Sequence, residues 1–302
     1  MSKAFHCLLP DRGVLAVTGD DRRSFLQGLV TNDVEKARDD RAVYSALLTA
    51  QGRFLHDFFL VELADALLIE CEGERRDDLR QRLSRYRLRA KVAIEDRTEV
   101  MAVAVLAGPD AAAAVGLPEE GGRAAPFGGG VVFVDPRVAA LGVRAILPRE
   151  EVDPALAATG LPVGSPDDYD RLRLDLGVPD GSRDMPAEKA LLLESNFDEL
   201  NGIDWQKGCY IGQELTARTK YRGLLKRRLM PIAFDGPEPE PGTAVSFEGK
   251  DAGEMRSARD GTGLALLRIE HAEAAERGEG TLSAGAVALK VRRPEWLPVS
   301  NK

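Results

Sequence analysis

The apolar run Val14-Leu15-Ala16-Val17, inside Gly13 to Thr18, reads as the first strand. Gly19-Asp20-Asp21 turns the chain, and an acid can cap the helix that follows. Phe25, Leu26, Leu29 and Val30 give that helix one apolar face. Tyr44 to Leu48 predicts a strand, and Phe54 to Leu63 with Leu67 to Glu72 predicts a strand pair. Helical spacing returns at Glu74 to Leu88, with its charges on the outer face. Strands are expected at Lys91 to Glu95 and Val100 to Leu106, then a short alanine helix at 111–115 opened by Gly108-Pro109-Asp110. The glycine-rich stretch 121–130 reads as a surface connection before strands at 131–134 and 141–147. It is no phosphate cradle, because no Lys-Ser/Thr pair follows it. This order of elements predicts an α+β protein with a sheet layer, not a doubly wound one.

Beyond Glu150 the chain is polar and spotted with proline up to Arg183. Pro237, Pro239 and Pro241, set among glutamates between Gly236 and Gly242, read as a stiff linker. Past it, short runs at 244–247, 264–269, 281–283 and 286–292 predict a small closed β unit.

Composition narrows the class. The chain has 302 residues, 44% hydrophobic and 30% charged, which suits a folded protein of two or three domains. A net charge of −8 argues against a general nucleic-acid binder. No apolar run reaches membrane-spanning length. Three cysteines, Cys7, Cys71 and Cys209, make no disulfide framework and point to a reducing compartment. They cannot supply four thiolates, so no complete iron–sulfur cluster is expected on this chain alone. His6 and His271 lack neighbours suited to zinc, so no resident metal is expected. The opening residues Met1 to Cys7 lack a signal peptide's apolar core, so the expected location is the cytoplasm.

The densest chemistry lies in Lys207-Gly208-Cys209-Tyr210-Ile211-Gly212-Gln213-Glu214. Gln213-Glu214 opens a helix that Gly223 stops, with Glu214 and Arg218 at the favourable acid-first spacing of four. Cys209 thus precedes a helix N-terminus and follows Lys207, surroundings that favour a thiolate able to act as nucleophile or soft ligand. A lone cysteine is more often a small buried hydrophobe; the bracketing glycines argue for close approach to something else.

This stretch resembles the K-G-C-[FY]-x-G-Q-E signature of the YgfZ family, folate-binding proteins of iron–sulfur cluster assembly similar in fold to the glycine-cleavage T-protein. Phe25-Leu26-Gln27-Gly28 with Thr31-Asn32-Asp33-Val34 resembles a second hallmark of that family. Ser195 to Gly202 is most similar to the branch that holds the mitochondrial cluster-assembly factor. Arg173-Leu174-Asp175-Leu176-Gly177-Val178-Pro179 resembles the R-x-E-x-G-x-P element, whose acid meets the pterin ring in T-protein relatives; here it is Asp175, one methylene shorter.

The resemblance implies a T-protein-like three-domain arrangement around a central folate cavity, with a C-terminal β-barrel. Residues 1–47 with 148–228 would form the central domain, 48–147 a second α+β domain, and 229–302 the barrel. It implies tetrahydrofolate as cofactor, with Asp175, Asn32, Asp33 and Lys207 at the site, joined by Tyr210, Gln213, Glu214 and Arg227. Cys209 is the implied functional thiol. The implied partners are A-type iron–sulfur carriers and 4Fe-4S client enzymes, and the implied function is assembly or repair of such proteins without conventional turnover. Two alternatives stand beside it: a folate-dependent aminomethyl- or methyltransferase, and a non-catalytic folate-binding regulator. Against the first, the T-protein's acid pair is met here by His56-Asp57, so one acid is missing.

Overall fold

The computed structural model describes residues 3–223 and 225–298. Residues 1–2, 224 and 299–302, which include both ends of the expected segments, lie outside that range. By its own packing the chain divides into two compact units. The first is Met1–Ala50, Leu55–Tyr169 and Leu200–Gln213; the second is Gln51–Phe54, Asp170–Glu199 and Glu214–Lys302.

The first unit carries β1 (Phe5–Leu8), β2 (Arg12–Thr18), α1 (Arg22–Gln27), β3 (Val43–Leu48), most of β4 (Phe54–Leu63), β5 (Ala66–Glu72), α2 (Arg76–Tyr86) and β6 (Ala93–Asp96). It continues with β7 (Met101–Ala107), β8 (Ala124–Phe127), β9 (Gly130–Val134), β10 (Val143–Pro148) and α3 (Val152–Ala157). Two five-stranded sheets result, ordered β3-β4-β5-β2-β6 and β1-β7-β10-β9-β8. The first buries Leu15, Val17, Phe58, Leu60 and Ile69 beneath α1 and α2, which contribute Leu26, Leu79 and Leu83. The alternation expected of half-buried strands gives way in β4, which is buried from Phe54 to Val61. The expected α+β class holds. The stretch read as an alanine helix at 111–115 is only a 3-10 turn at Ala113–Val115, and the glycine connection contains β8.

Between the sheets lies a buried polar chain. Arg144 of β10 bonds Glu70 of β5 at 2.8 Å, Asp135 at 3.2 Å and the Tyr169 hydroxyl at 3.1 Å. Arg137 bonds Asp135 through two nitrogens at 3.0 and 2.8 Å. Both guanidiniums stack on Phe59, at 4.3 Å for Arg144 and 4.9 Å for Arg137. Although burial pushes its carboxyl up, Arg137 and Arg144 hold Asp135 below the usual carboxylate range.

The second unit holds the rest of α4 (Pro166–Asp175), α5 (Gly181–Asp184) and most of α6 (Gln213–Tyr221), followed by the barrel. The barrel strands are β11 (Arg227–Phe234), β12 (Ala244–Phe247), β13 (Lys250–Arg259) and β14 (Thr262–Arg268), then, after α7 (Ile269–Glu276), β15 (Leu282–Ala284) and β16 (Val287–Val291). They close in the order β11-β14-β13-β12-β15-β16, with Ile232 paired to Val291 across the seam. The expected C-terminal barrel is therefore present. It begins at Arg227, ahead of the proline run, so Pro237 to Pro241 joins two barrel strands and is not a linker to the barrel. The interior is filled by Met230, Ile232, Met255, Leu267 and Leu282, all nearly or fully buried.

Candidate functional site

In the first unit the two sequence hallmarks meet. The segment after α1 and the loop 201–212 are stitched together along their length. The Thr31 hydroxyl donates to the Gly202 carbonyl at 2.6 Å, and the Asn32 side-chain amide donates to the carbonyls of Tyr44 and Asn201, each at 2.7 Å. The Ile211 amide donates to the Gly28 carbonyl at 3.2 Å. Asp204 accepts from the backbone amides of Gln206 and Lys207 at 2.7 and 3.1 Å, and its other oxygen meets Lys36 at 2.5 Å. Asp33 caps a 3-10 turn by accepting from the Glu35 amide, and also takes the Gln27 side-chain amide at 2.8 Å.

Lys207 turns inward. Its ammonium donates to the carbonyls of Val30 at 2.6 Å and Asn32 at 2.7 Å and lies 5.3 Å from the centre of the Tyr210 ring. Burial pulls its pKa down to about 8, against the pull of Asp33 and Asp204. The cation expected beside the thiol is thus engaged in holding the loop. Cys209 itself is exposed, between buried Lys207 and buried Tyr210. The other two cysteines are buried: Cys7 in β1 and Cys71 in β5. Burial pushes both thiols up to about 12. Asn32 also lines a polar cavity of about 340 Å³ with Tyr44, Arg41, Lys36, Asn201 and Asp204.

His56 and Asp57, side by side on β4, point to different neighbours. Asp57 accepts from the Tyr44 hydroxyl at 2.8 Å, and His56 meets Asp78 at 2.8 Å. Burial, then Arg75, brings the His56 imidazole down to about 4, so it is neutral at physiological pH.

The second unit holds the remaining expected residues except Gln213. Asp175, at the end of α4, is about half exposed and stands 3.5 Å from Arg292. Arg171, four residues earlier on the same helix, pairs with Asp260. Glu214 and Arg218 form the anticipated pair, but at 3.9 Å and with both side chains largely exposed. Such a pair adds little stability. Gln213, the last residue of the first unit, closes the turn onto the Tyr210 carbonyl at 3.3 Å.

Arg227 has a more telling place. Strand alternation sends Arg228 one way, to Glu199 at 2.6 Å and Asn196 at 3.1 Å, while Arg227 and Leu229 face a cavity of about 520 Å³. Asn196, in a left-handed conformation at φ 61°, fixes that register by donating to the Leu229 carbonyl at 2.9 Å. Arg53, Arg256 and Glu194 also line the cavity; Asp175 does not. Burial raises the Glu194 pKa although Arg227, Arg53 and Arg256 all oppose it. The buried Nε of Arg256 has no hydrogen-bond partner. Four cations, Arg53, Lys189, Arg227 and Arg256, line it with three acids, Asp184, Glu194 and Glu254, of which Glu254 already pairs with Arg256 at 2.7 Å; with the orphaned donor, this lining suits a ligand that carries carboxylates and also offers N–H groups. The sequence signals for Glu194 and Arg53 were their places beside the Ser195 to Gly202 stretch and after Gly52; Arg256 had none.

Comparisons with known proteins agree with this architecture. Residues 12–117 match the model of the GCVT N-terminal domain, and residues 226–299 match the CAF17 C-terminal beta-barrel domain. The solved aminomethyltransferase T of the glycine cleavage system from Bartonella henselae superposes with a TM-score of 0.78 over 99% of this chain and 87% of that one, at 16% identity. The chain therefore has the fold of the T-protein class, capped by a C-terminal barrel. It is also 37% identical, over 97% of its length and 85% of the relative's, to the human protein named iron-sulfur cluster assembly factor IBA57, mitochondrial. The mouse protein of that name is 35% identical over 97% of this chain and 86% of its own. This chain belongs to the YgfZ/CAF17 family. Those relatives are mitochondrial by name, where the sequence had suggested a cytoplasmic protein. Among the described residues no helix is long and apolar enough to cross a membrane.

Proposed function

We propose that this protein is an accessory factor for the assembly or repair of iron–sulfur proteins, on the branch of its mitochondrial relatives, and that Cys209 is its working group. One observation carries the reading: the loop is tied down on both sides of a thiol that stays exposed. A side chain held this way can reach a cluster seated on a partner, such as an A-type carrier or a 4Fe-4S client enzyme. Binding iron would replace the sulfur–hydrogen bond with a sulfur–iron bond and release the proton to water. One thiolate cannot hold a cluster alone, so the cluster is cargo that the partner shares.

Tetrahydrofolate is the ligand we assign to the cavity of the second unit. Its carboxylates would pair with Arg53, Arg227 and Arg256, and Glu194 would accept from the N–H edge of the pterin. In this reading Glu194 takes the part that the family pattern gives to Asp175. Bound there, folate would supply one-carbon chemistry or a conformational signal. Glycine cleavage is not the proposed activity. His56 stands where the T-protein has an acid and is neutral and engaged with Asp78, which leaves no free base beside Asp57.

The test has two arms. A strain lacking the protein is complemented with Cys209→Ser and assayed for several 4Fe-4S enzymes; their activity should fall to the level of the deletion. Calorimetry with tetrahydrofolate should show binding that Glu194→Ala and Arg227→Ala each weaken by about tenfold or more, and that Asp175→Ala leaves within about twofold. Full complementation by Cys209→Ser would remove the role of the thiol. Equal binding by all three variants would remove the cavity assignment.

A further inference from the structure

The helix α2 and the turn behind it carry a feature that neither cluster assembly nor folate uses. Residues 75–91 hold eight Lys or Arg against two Asp, in a chain whose net charge is −8. Arg75, Arg76, Arg80 and Arg82 are engaged with the Leu55 carbonyl, Asp96, Asp77 and Asp78 respectively. The next four cations are not. Arg85, Arg87, Arg89 and Lys91 are exposed, and their side chains have no partner among the described residues. The nearby acid Glu95 is already paired with Arg97 at 2.6 Å.

Apolar groups stand among these free cations. Tyr86 is 45% exposed and Leu88 is 89% exposed. Leu88 also sits at φ 44°, a left-handed conformation that costs a leucine free energy, and it points away from the core. Arg80, Gln81, Ser84 and Arg85 of α2, with Ile94, line an open recess of about 500 Å³. Ile94 belongs to β6, the last strand of its sheet.

We propose that this face docks a partner protein through an acidic segment that carries an apolar side chain. The carboxylates would meet Arg85, Arg87, Arg89 and Lys91, and the apolar side chain would enter the recess over Ile94 next to Arg85. Charge complementarity and arginine's planar fork favour carboxylates. A membrane surface would need the apolar stripe of the helix, and that stripe, Leu79 and Leu83, is fully buried in the core. A nucleic-acid backbone would run past four unpaired cations onto a protein that is acidic elsewhere. The proposal is independent of the folate and thiol assignments.

The test measures fluorescence anisotropy of a labelled peptide of alternating Glu and Asp with one central Phe, using the full-length protein at low salt. Wild type should bind it, and binding should weaken with added salt. Arg85→Glu/Arg89→Glu should weaken it by about tenfold or more, while Lys250→Glu/Lys290→Glu, which changes net charge equally on exposed barrel positions, should stay within about twofold. Leu88→Asp should also weaken it. Circular dichroism checks that all variants keep the wild-type spectrum. No binding by wild type, equal loss in the two double variants, or tighter binding to anionic phospholipid vesicles or duplex DNA would each overturn the proposal.

Discussion

Two groups of arginines, one buried and one half-buried at a cavity edge, behave in opposite ways. In the first unit Arg137 and Arg144 are saturated: every face meets a carboxylate, a hydroxyl or an aromatic ring. In the second unit Arg227 and Arg256 edge a cavity, with one buried nitrogen lacking a partner and Glu194 pushed toward its neutral form. A satisfied network fixes structure, because removing a member strands the others in low dielectric. An unsatisfied one costs stability unless something else completes it, which marks it as a place for a ligand.

The largest expected effect breaks the saturated group. Arg144→Met should destabilise the protein by about 3–5 kcal/mol, since Glu70 and Asp135 lose a buried counter-charge. Denaturant unfolding would show it, and a loss below about 1 kcal/mol would mean that the network is dispensable.

A pH series sharpens the contrast through His56. Its folded pKa, about 4, lies below the ordinary histidine value of 6.5, so the unfolded chain binds the extra proton first. Stability should be complete above about pH 6.5 and fall as pH drops toward 4, by up to about 3 kcal/mol. His56→Gln should flatten that part of the curve; an unchanged slope would contradict the buried neutral imidazole.

The cavity variant should do much less to stability. Arg256→Met removes the orphaned donor, and unfolding free energy should stay within about 1 kcal/mol of wild type. A loss of several kcal/mol would place the cavity arginines with the structural group.

The thiol variant should cost least of all. Cys209→Ser should leave unfolding within about 0.5 kcal/mol, because the side chain is exposed. In wild type, iodoacetamide labelling followed by mass spectrometry should modify Cys209 at least about tenfold faster than Cys7 or Cys71. Comparable rates at all three would show that exposure does not govern this thiol.

Much of this was legible in the chain. The period-two and apolar runs located β2, β3, β5 and the full extent of β4, because those strands bury continuous hydrophobic surface. The barrel was partly hidden for physical reasons. In β13 a bulge between Met255 and Ala258 breaks the alternation, and polar residues fill its outer face. In α7 small alanines replace the large residues that would announce a helix, and the helix follows β14 without a break. β1 is four residues long, too short for any period to show.

The candidate site divides in the same way. Sequence alone determined that Cys209 is set apart from the other thiols, and that the two hallmark stretches carry most of the polar chemistry. Only the tertiary structure decided what each polar group faces. Lys207 turns inward because the carbonyls that receive it, Val30 and Asn32, lie 177 and 175 residues away along the chain, out of reach of any local pattern. Cys209 is left outside because its neighbours on both sides are held in, and Glu194 faces the cavity arginines while Asp175 does not. Hydrogen bonds and burial across such distances depend on where the fold brings backbone and side chains together, and residue spacing carries no record of that.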